Sequence, residues 1–153
     1  MCSSDLLTIQ ALESGEAVAR ASDVICTVTS SAEPILLRAW LGVGVHVNAV
    51  GSSIPGPVEV DQDLVVASRY FVDSRPSALA QAAEFLKARA AGVIGEDHIQ
   101  AEIGEVLAGA RPGRRSDQEI TLYKSLGHVV QDLAAVRFLF DQARQDPASG
   151  QRI

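Results

Sequence analysis

Several features that announce a function are missing from this sequence. It has two cysteines, Cys2 and Cys26, in 153 residues, too few for a disulfide framework. Cys26 lies in the apolar run DVICTVT (23–29), which predicts a buried free thiol and fits a reducing cytoplasm. Positive charge is also scarce: 13 basic residues face 19 acidic ones, for a net charge of −6. The cluster Arg111, Arg114 and Arg115 is read as a solvated loop, so a nucleic-acid partner is not expected. No charged segment followed by an apolar one marks a signal peptide. The longest uncharged stretch, 39–58, is interrupted by glycines, serines, prolines and Asn48, so no membrane helix or membrane partner is expected.

The familiar site motifs are absent as well. No Gly-x-Gly-x-x-Gly fingerprint, phosphate-binding Walker loop or Gly-x-Ser-x-Gly nucleophile elbow occurs. Gly42-Val43-Gly44 precedes a strand pattern, with Val at position 47, and is rejected as a dinucleotide loop. His46, His98 and His128 lack metal-spaced partners, and no metal site is expected. Glu59, Asp61 and Asp63 follow a Pro-Gly-Pro loop and read as first-turn helix acids.

What is present is alternation. LLTIQAL (6–12), DVICTVT (23–29), HVNAV (46–50), RYFVD (69–73) and EITLYKS (119–125) read as strands. DVICTVT is apolar enough to suggest cover on both faces. Between the strands, GEAVARA after Ser14, VEVDQDLVVAS, an alanine-rich segment from Pro76 to about Ala91, and Glu102 to Leu107 read as helices. Gly109 ends the last of these, and 110–118 is a loop. Strands alternating with helices predict a parallel sheet with right-handed crossovers. Leu126, Val129, Val130, Leu133, Val136, Phe140 and Ala143 recur at helical spacing. They predict a long amphipathic helix whose apolar face serves either the core or a subunit or interdomain contact.

In an open parallel sheet, ligands bind beyond the carboxyl ends of the strands. Thr27 and Thr29 stand at one such end, and Val50, Gly51, Ser52 and Ser53 at the next. The hydroxyls are compact donors, and Gly51 permits close approach of a backbone or ring.

The segments ASDVICTVTSSAEPIL, GVHVNAVGSSIPGPVEVD, RYFVDSR, AEIGEVLAGARPG and ITLYKSLGHVVQDLAA occur in this order. Together they resemble the ornithine cyclodeaminase/mu-crystallin family, over about Asp23 to Phe140. The resemblance implies an α/β fold: an incomplete Rossmann-like parallel sheet with flanking helices, plus a long C-terminal helix that would pack on a missing N-terminal domain. It implies a non-native leader at 1–6 and a partial NAD(P)-binding domain at 7–118. A strand and helix at 119–146 would return to the absent substrate and dimerisation domain, and 147–153 would be a disordered tail.

The implied function is that of a fragment of an NAD(P)-dependent oxidoreductase acting on imines or amino acids, inactive alone. Ornithine cyclodeamination, alanine dehydrogenation or mu-crystallin-type binding of NADPH and a ligand are the alternatives. NAD or NADP is the implied cofactor, an amino-acid or imine substrate the implied ligand, and a homodimer the implied assembly of the complete protein. Residue by residue, Thr27 and Thr29 match the threonines near ribose and nicotinamide. Val50, Gly51 and Ser52 match the backbone beside the nicotinamide, and Ser125 and Leu126 the turn that closes over it. Ser53 matches the catalytic aspartate of cyclodeaminases. Ala83 and Glu84 depart from the family's Gly-Asp, which puts the neighbouring substrate-side loop in question.

Overall fold

A computed structural model of the chain describes residues 9–145. Its elements, in order, are α1 (Gly15–Arg20), β1 (Val24–Thr27), β2 (His46–Ala49), α2 (Gln62–Ala67), β3 (Arg69–Val72), α3 (Arg75–Gln81), α4 (Ala83–Ala90), β4 (Ile99–Glu102), α5 (Ile103–Leu107), β5 (Thr121–Lys124) and α6 (Val129–Gln145). The strands form one sheet in the order β1-β2-β5-β3-β4, parallel throughout. The parallel sheet expected from the alternation, and the α/β Rossmann-like fold that the resemblance implies, are therefore present.

Local chemistry explains most boundaries. The Ser14 hydroxyl accepts from the Ala17 amide at 3.1 Å and starts α1. The Asp61 carboxylate accepts from Leu64 N at 3.0 Å and starts α2. Ser74 caps α3, with Pro76 in its first turn. The single helix expected from Pro76 to Ala91 is two, because Ala82 takes an extended conformation between α3 and α4. β4 was not expected. Its residues IQAE have one β-branched side chain followed by Gln, Ala and Glu, which favour helix. The reading of LLTIQAL as a strand falls partly outside the described residues, and Ile9 to Leu12 carry no regular structure. The leader and tail assigned to 1–6 and 147–153 also lie outside the described residues.

From β1 through β4 each connection advances the same way across the sheet, and only β4 to β5 runs back. Parallel crossovers are right-handed, so the advancing connections all fall on one face. The core gathers there: Ala19 of α1, Leu64 and Val65 of α2, Ala78 of α3 and Phe85 and Ala88 of α4 pack on Val47, Tyr70, Val72 and Leu122. The returning connection places Ile103, Val106 and Arg114 over Phe71, Thr121 and Tyr123 on the opposite face.

Near β1 that opposite face is open. β1 alternates exposed and buried residues, Val24 is 61% exposed, and the Cys26 thiol is exposed. The expectations of a strand covered on both faces and of a buried thiol are thus corrected. Apolar content alone cannot tell which faces the crossovers will cover.

α6 contributes no buried residue. Val129, Val130, Leu133, Val136, Phe138, Leu139 and Phe140 are all exposed along it. Of the two roles weighed for its apolar face, core packing within this chain is not what the fold shows. No helix among the described residues is long and apolar enough to cross a membrane.

Two expected outcomes follow from this packing. Leu133→Glu with Val136→Glu should leave the thermal midpoint of the sheet domain unchanged, because neither side chain touches the core. The pair should also lower hydrophobic-dye binding and sedimentation-detected association, since exposed apolar patches drive both.

Tyr70 gives the second. Its ring is buried against Phe85, and its hydroxyl has no hydrogen-bond partner among the described residues. Burial, reinforced by Glu84 and Asp73, holds the phenol's pKa well above its ordinary value near 10. The folded state therefore keeps a proton that the unfolded chain releases. That contribution is fully present below about pH 10 and is lost as pH climbs towards the folded value. Tyr70→Phe should change stability by less than about 1 kcal/mol at pH 8, since no hydrogen bond is lost. At pH 11 the variant should be more stable than the parent in urea unfolding. Equal stability at both pH values would contradict this account.

Candidate functional site at the carboxyl ends of the strands

The loops after β1, β2, β3 and β5 meet at one edge of the sheet. After β1 and β2 the chain makes two turns held together by backbone bonds. Gly51 N donates to Thr27 O at 3.1 Å and Ser52 N to Thr29 O at 3.0 Å. A pocket of about 440 Å³ opens between them, lined by Val28, Thr29, Ser30, Gly51, Ser52 and Ser53, with Ile54 and Pro57. Val50, one residue earlier, is partly exposed.

The turn after β2 is tight for a specific reason. A Cβ on Gly51 would run into the Thr29 backbone and the Glu59 carboxylate. The close approach expected at Gly51 is therefore made by the protein's own β1 loop and Glu59. Ser52 takes a positive φ of 53°, uncommon outside glycine, and its hydroxyl donates to Ser31 O at 3.4 Å.

Beneath the turn lie buried charges that the sequence reading did not place there. Glu59 is fully buried. It accepts from the Thr27 hydroxyl at 2.8 Å and from Thr29 N at 2.5 Å. It is not a first-turn helix acid, as expected; Asp61 caps α2 and Asp63 occupies its first turn, while Glu59 ties the ends of β1 and β2 together. Thr27 therefore spends its hydroxyl inward on Glu59. Thr29 keeps its side chain at the pocket, where Oγ1 accepts from Ser31 N at 3.2 Å.

On the other side of the turn stands Lys124, also 0% exposed. Its ammonium donates to Gly51 O at 2.6 Å and to Ser52 O at 3.2 Å, and lies 3.2 Å from Glu84 Oε1. Glu84 thus sits in a buried ion pair with the strand that ends at the site. A signal for Lys124 was present: it follows Ile120 and Leu122 at two-residue spacing, so a strand points it to the same face as they point.

The turn after β5 is fixed by Asp73, directly after β3. Asp73 Oδ2 accepts from Leu126 N at 2.7 Å, Gly127 N at 2.9 Å and the Ser125 hydroxyl at 3.5 Å. Ser125 N donates to Ala49 O at 3.1 Å, which links this turn to the end of β2. Ser125 is buried and Leu126 packs against the core. Asp73 was missed as a site residue, although an acid at a strand's carboxyl end is a recognisable signal.

The structure thus brings Thr29, Gly51, Ser52 and Ser53 together around one pocket; Val50 directly precedes Gly51, while Ser125 and Leu126 lie outside its lining, Ser125 tied to the end of β2 through Ala49 and Leu126 packed on the core. Thr27 is placed beneath the pocket. The histidines lie elsewhere: His46 bonds Thr121 and Asn48 on the open face, and His98 bonds Val65 O at 2.7 Å. Among the described residues no group of three or more His, Cys, Asp or Glu is placed to hold a metal ion.

Comparison with known proteins finds relatives of this sequence and of this fold. The mouse ketimine reductase mu-crystallin is 42% identical over 120 residues, covering 78% of this chain and 36% of that protein. The pyrroline-2-carboxylate reductase of Thermococcus litoralis, solved with NADH and L-proline, superposes with a TM-score of 0.81 at 31% identity, over 93% of this chain and 44% of that one. An archaeal alanine dehydrogenase dimer with bound NAD superposes with a TM-score of 0.78 at 34% identity, over 94% and 44%. The chain therefore spans well under half the length of these relatives. The family model of the ornithine cyclodeaminase/mu-crystallin family matches residues 2–146, and this chain belongs to that family.

Proposed function

We propose that the chain forms the nicotinamide-side part of the site of an NAD(P)-dependent oxidoreductase that reduces a C=N bond in an imine derived from an amino acid. The observation that carries this is the convergence of Thr29, Gly51, Ser52 and Ser53 on one pocket at the carboxyl ends of parallel strands, with the Asp73-pinned turn Ser125–Gly127 tied to the end of β2 through Ala49. That is where dinucleotides bind in such sheets. The NADH and NAD complexes of the two structural relatives support a nicotinamide dinucleotide as the cofactor, and the pyrroline-2-carboxylate reductase supports a cyclic imine as the substrate class.

The residues of this chain fit such a cofactor at its nicotinamide end. Val50 offers an apolar surface to a ring, and the hydroxyls of Thr29 and Ser53 offer bonds to a carboxamide or ribose. When bound, the dinucleotide supplies the hydride. The chain orients it; hydride chemistry belongs to the cofactor. The phosphates have no glycine loop in this sequence. The division into a nucleotide-binding part over 7–118 and a C-terminal part over 119–146 is carried forward for α6 alone, since β5 sits in the centre of the sheet. We assign the apolar face of α6 to a second domain or subunit of the complete protein, in keeping with the dimer reported for the alanine dehydrogenase.

Ser53 decides between imine reduction and cyclodeamination. Cyclodeamination moves protons at several stages, and a carboxylate whose pKa is tuned by its surroundings suits that role. A serine does not titrate there. Glu59 lies near in space, but its oxygens are committed to Thr27 and Thr29 N. Reduction of a preformed imine needs a positioned hydride and one proton donor, which a hydroxyl or a water held by it can serve.

The test is nicotinamide-dependent reduction of cyclic ketimines by the complete gene product. Reduction should greatly exceed proline formation from ornithine, and Ser53→Ala should lower kcat by roughly a hundredfold, the usual contribution of a positioned proton-transfer group. A loss under twofold would make Ser53 a spacer. Comparable ornithine turnover would reverse the assignment.

Gly51 gives a second outcome. Because its missing Cβ is replaced by the Thr29 backbone and Glu59, Gly51→Ala should destabilise the fold by several kcal/mol, the range seen for overpacked sites or unpaired buried charges. Loss of cofactor affinity alone, with an unchanged unfolding midpoint, would show that the neighbours give way.

A further inference from the structure

We propose that Lys124, oriented by Glu84, is a positioning residue that holds the crevice turn: it draws the carbonyls of Gly51 and Ser52 into the core and leaves the side chains of Ser53 and Thr29 as the polar groups presented to a ligand. The inference rests on the reading of this crevice as the nicotinamide site.

Three observations carry it. First, an ammonium with no solvent exposure is costly unless it is paired and hydrogen-bonded, and Lys124 has both kinds of partner: Glu84 at 3.2 Å and two carbonyls at 2.6 and 3.2 Å. An apolar side chain fills the equivalent inward position two residues earlier, at Leu122. Packing alone therefore does not call for a charge here. A leucine at 124 would leave the Gly51 and Ser52 carbonyls without this donor.

Second, Ser52 is the one non-glycine residue with positive φ among the described residues. Such a conformation persists where the surroundings over-determine it. The turn is gripped from two sides, its amides by the carbonyls of Thr27, at the end of β1, and Thr29, in the loop after it, and its carbonyls by Lys124. Third, neither Glu84 oxygen has another hydrogen-bond partner among the described residues. Its contact with Lys124 is thus the interaction that accounts for its burial. This also places the departure from the family pattern at 84: Glu84 contacts the lysine and acts on the crevice through it.

The clamp predicts a local effect separable from global stability. Lys124→Met alone would strand Glu84 as an unpaired buried charge, which is strongly destabilising. The informative variant is K124M/E84L, which replaces the whole pair with apolar side chains of similar size, a change that is commonly neutral or stabilising. In that variant the amides of Gly51 and Ser52 should exchange with solvent at least tenfold faster than in the parent, while those of Val47 and Leu122 stay within twofold. Titration with millimolar NADH, read by amide chemical shifts at Gly51, Ser53 and Ser125, should give at least threefold weaker binding than in the parent.

Exchange at Gly51 and Ser52 unchanged to within twofold in the folded double variant overturns the proposal. Absence of NADH-induced shifts in the parent overturns the proposed function, and the exchange comparison still decides the clamp. If the double variant does not fold, the Lys124 ammonium protons of the parent decide: slow exchange in lysine-selective NMR supports the clamp, and exchange at the solvent rate overturns it.

Discussion

The handedness of parallel crossovers sets nearly everything in this molecule. Three successive connections advance in one direction across the sheet, so right-handed geometry lays α2, α3 and α4 on one face and concentrates the core there. The last connection reverses, crosses to the other face and inserts β5 between β2 and β3. This reversal brings the ends of β2, β3 and β5 side by side, next to the pocket that opens between the turns after β1 and β2. It also leaves Val24 and Cys26 of β1 open to solvent on the face that the first three connections never visit.

Around the crevice the polar groups divide into two sets. One set is turned inward and spent on structure: the Thr27 hydroxyl on Glu59, the Gly51 and Ser52 carbonyls on Lys124, and the Asp73 carboxylate on the amides of Leu126 and Gly127. The other, Thr29, Ser30 and Ser53, borders the pocket. Buried charges at a strand end are expensive on their own. Here each is matched to donors or acceptors of the turns that shape the site, so fold stability and site geometry draw on the same contacts.

Much of this could be read from the residues. Alternation and capping located α1, α2 and four of the five strands, and the hydroxyl-rich turns after VICT and HVNA were recognisable as a strand-end constellation. The family resemblance added the turn at Ser125 and Leu126. What escaped were facts of the third dimension. The strand IQAE carries Gln, Ala and Glu, good helix formers that mask it beside the helix that follows. Ala82 is a good helix former in sequence, yet it is where α3 gives way to α4. Glu59 reads as a helix-start acid because Asp61 and Asp63 follow it, and only the packing of β1 against β2 shows that it faces inward. Whether Cys26 is buried depends on which face the crossovers cover, and hydropathy does not encode that. Lys124 and Asp73 were visible as residues but not as partners of turns 72 and 53 positions away.

The central place of the last strand also shapes how the sheet forms. β2 and β3 never pair with each other; each pairs with β5. Until Thr121–Lys124 arrives, the earlier strands make two separate parallel ribbons, β1 with β2 and β3 with β4. Contacts between residues so distant in the chain must bear the loop-closure entropy before they gain any stability. A nascent chain that has not yet released β5 would therefore expose the β2 and β3 edges that β5 covers in the finished sheet, and such edges pair readily with other chains. Substitutions in Thr121–Lys124 would be felt twice, as aggregation during synthesis and as weakness of the finished fold, whose core holds Leu122 and Lys124.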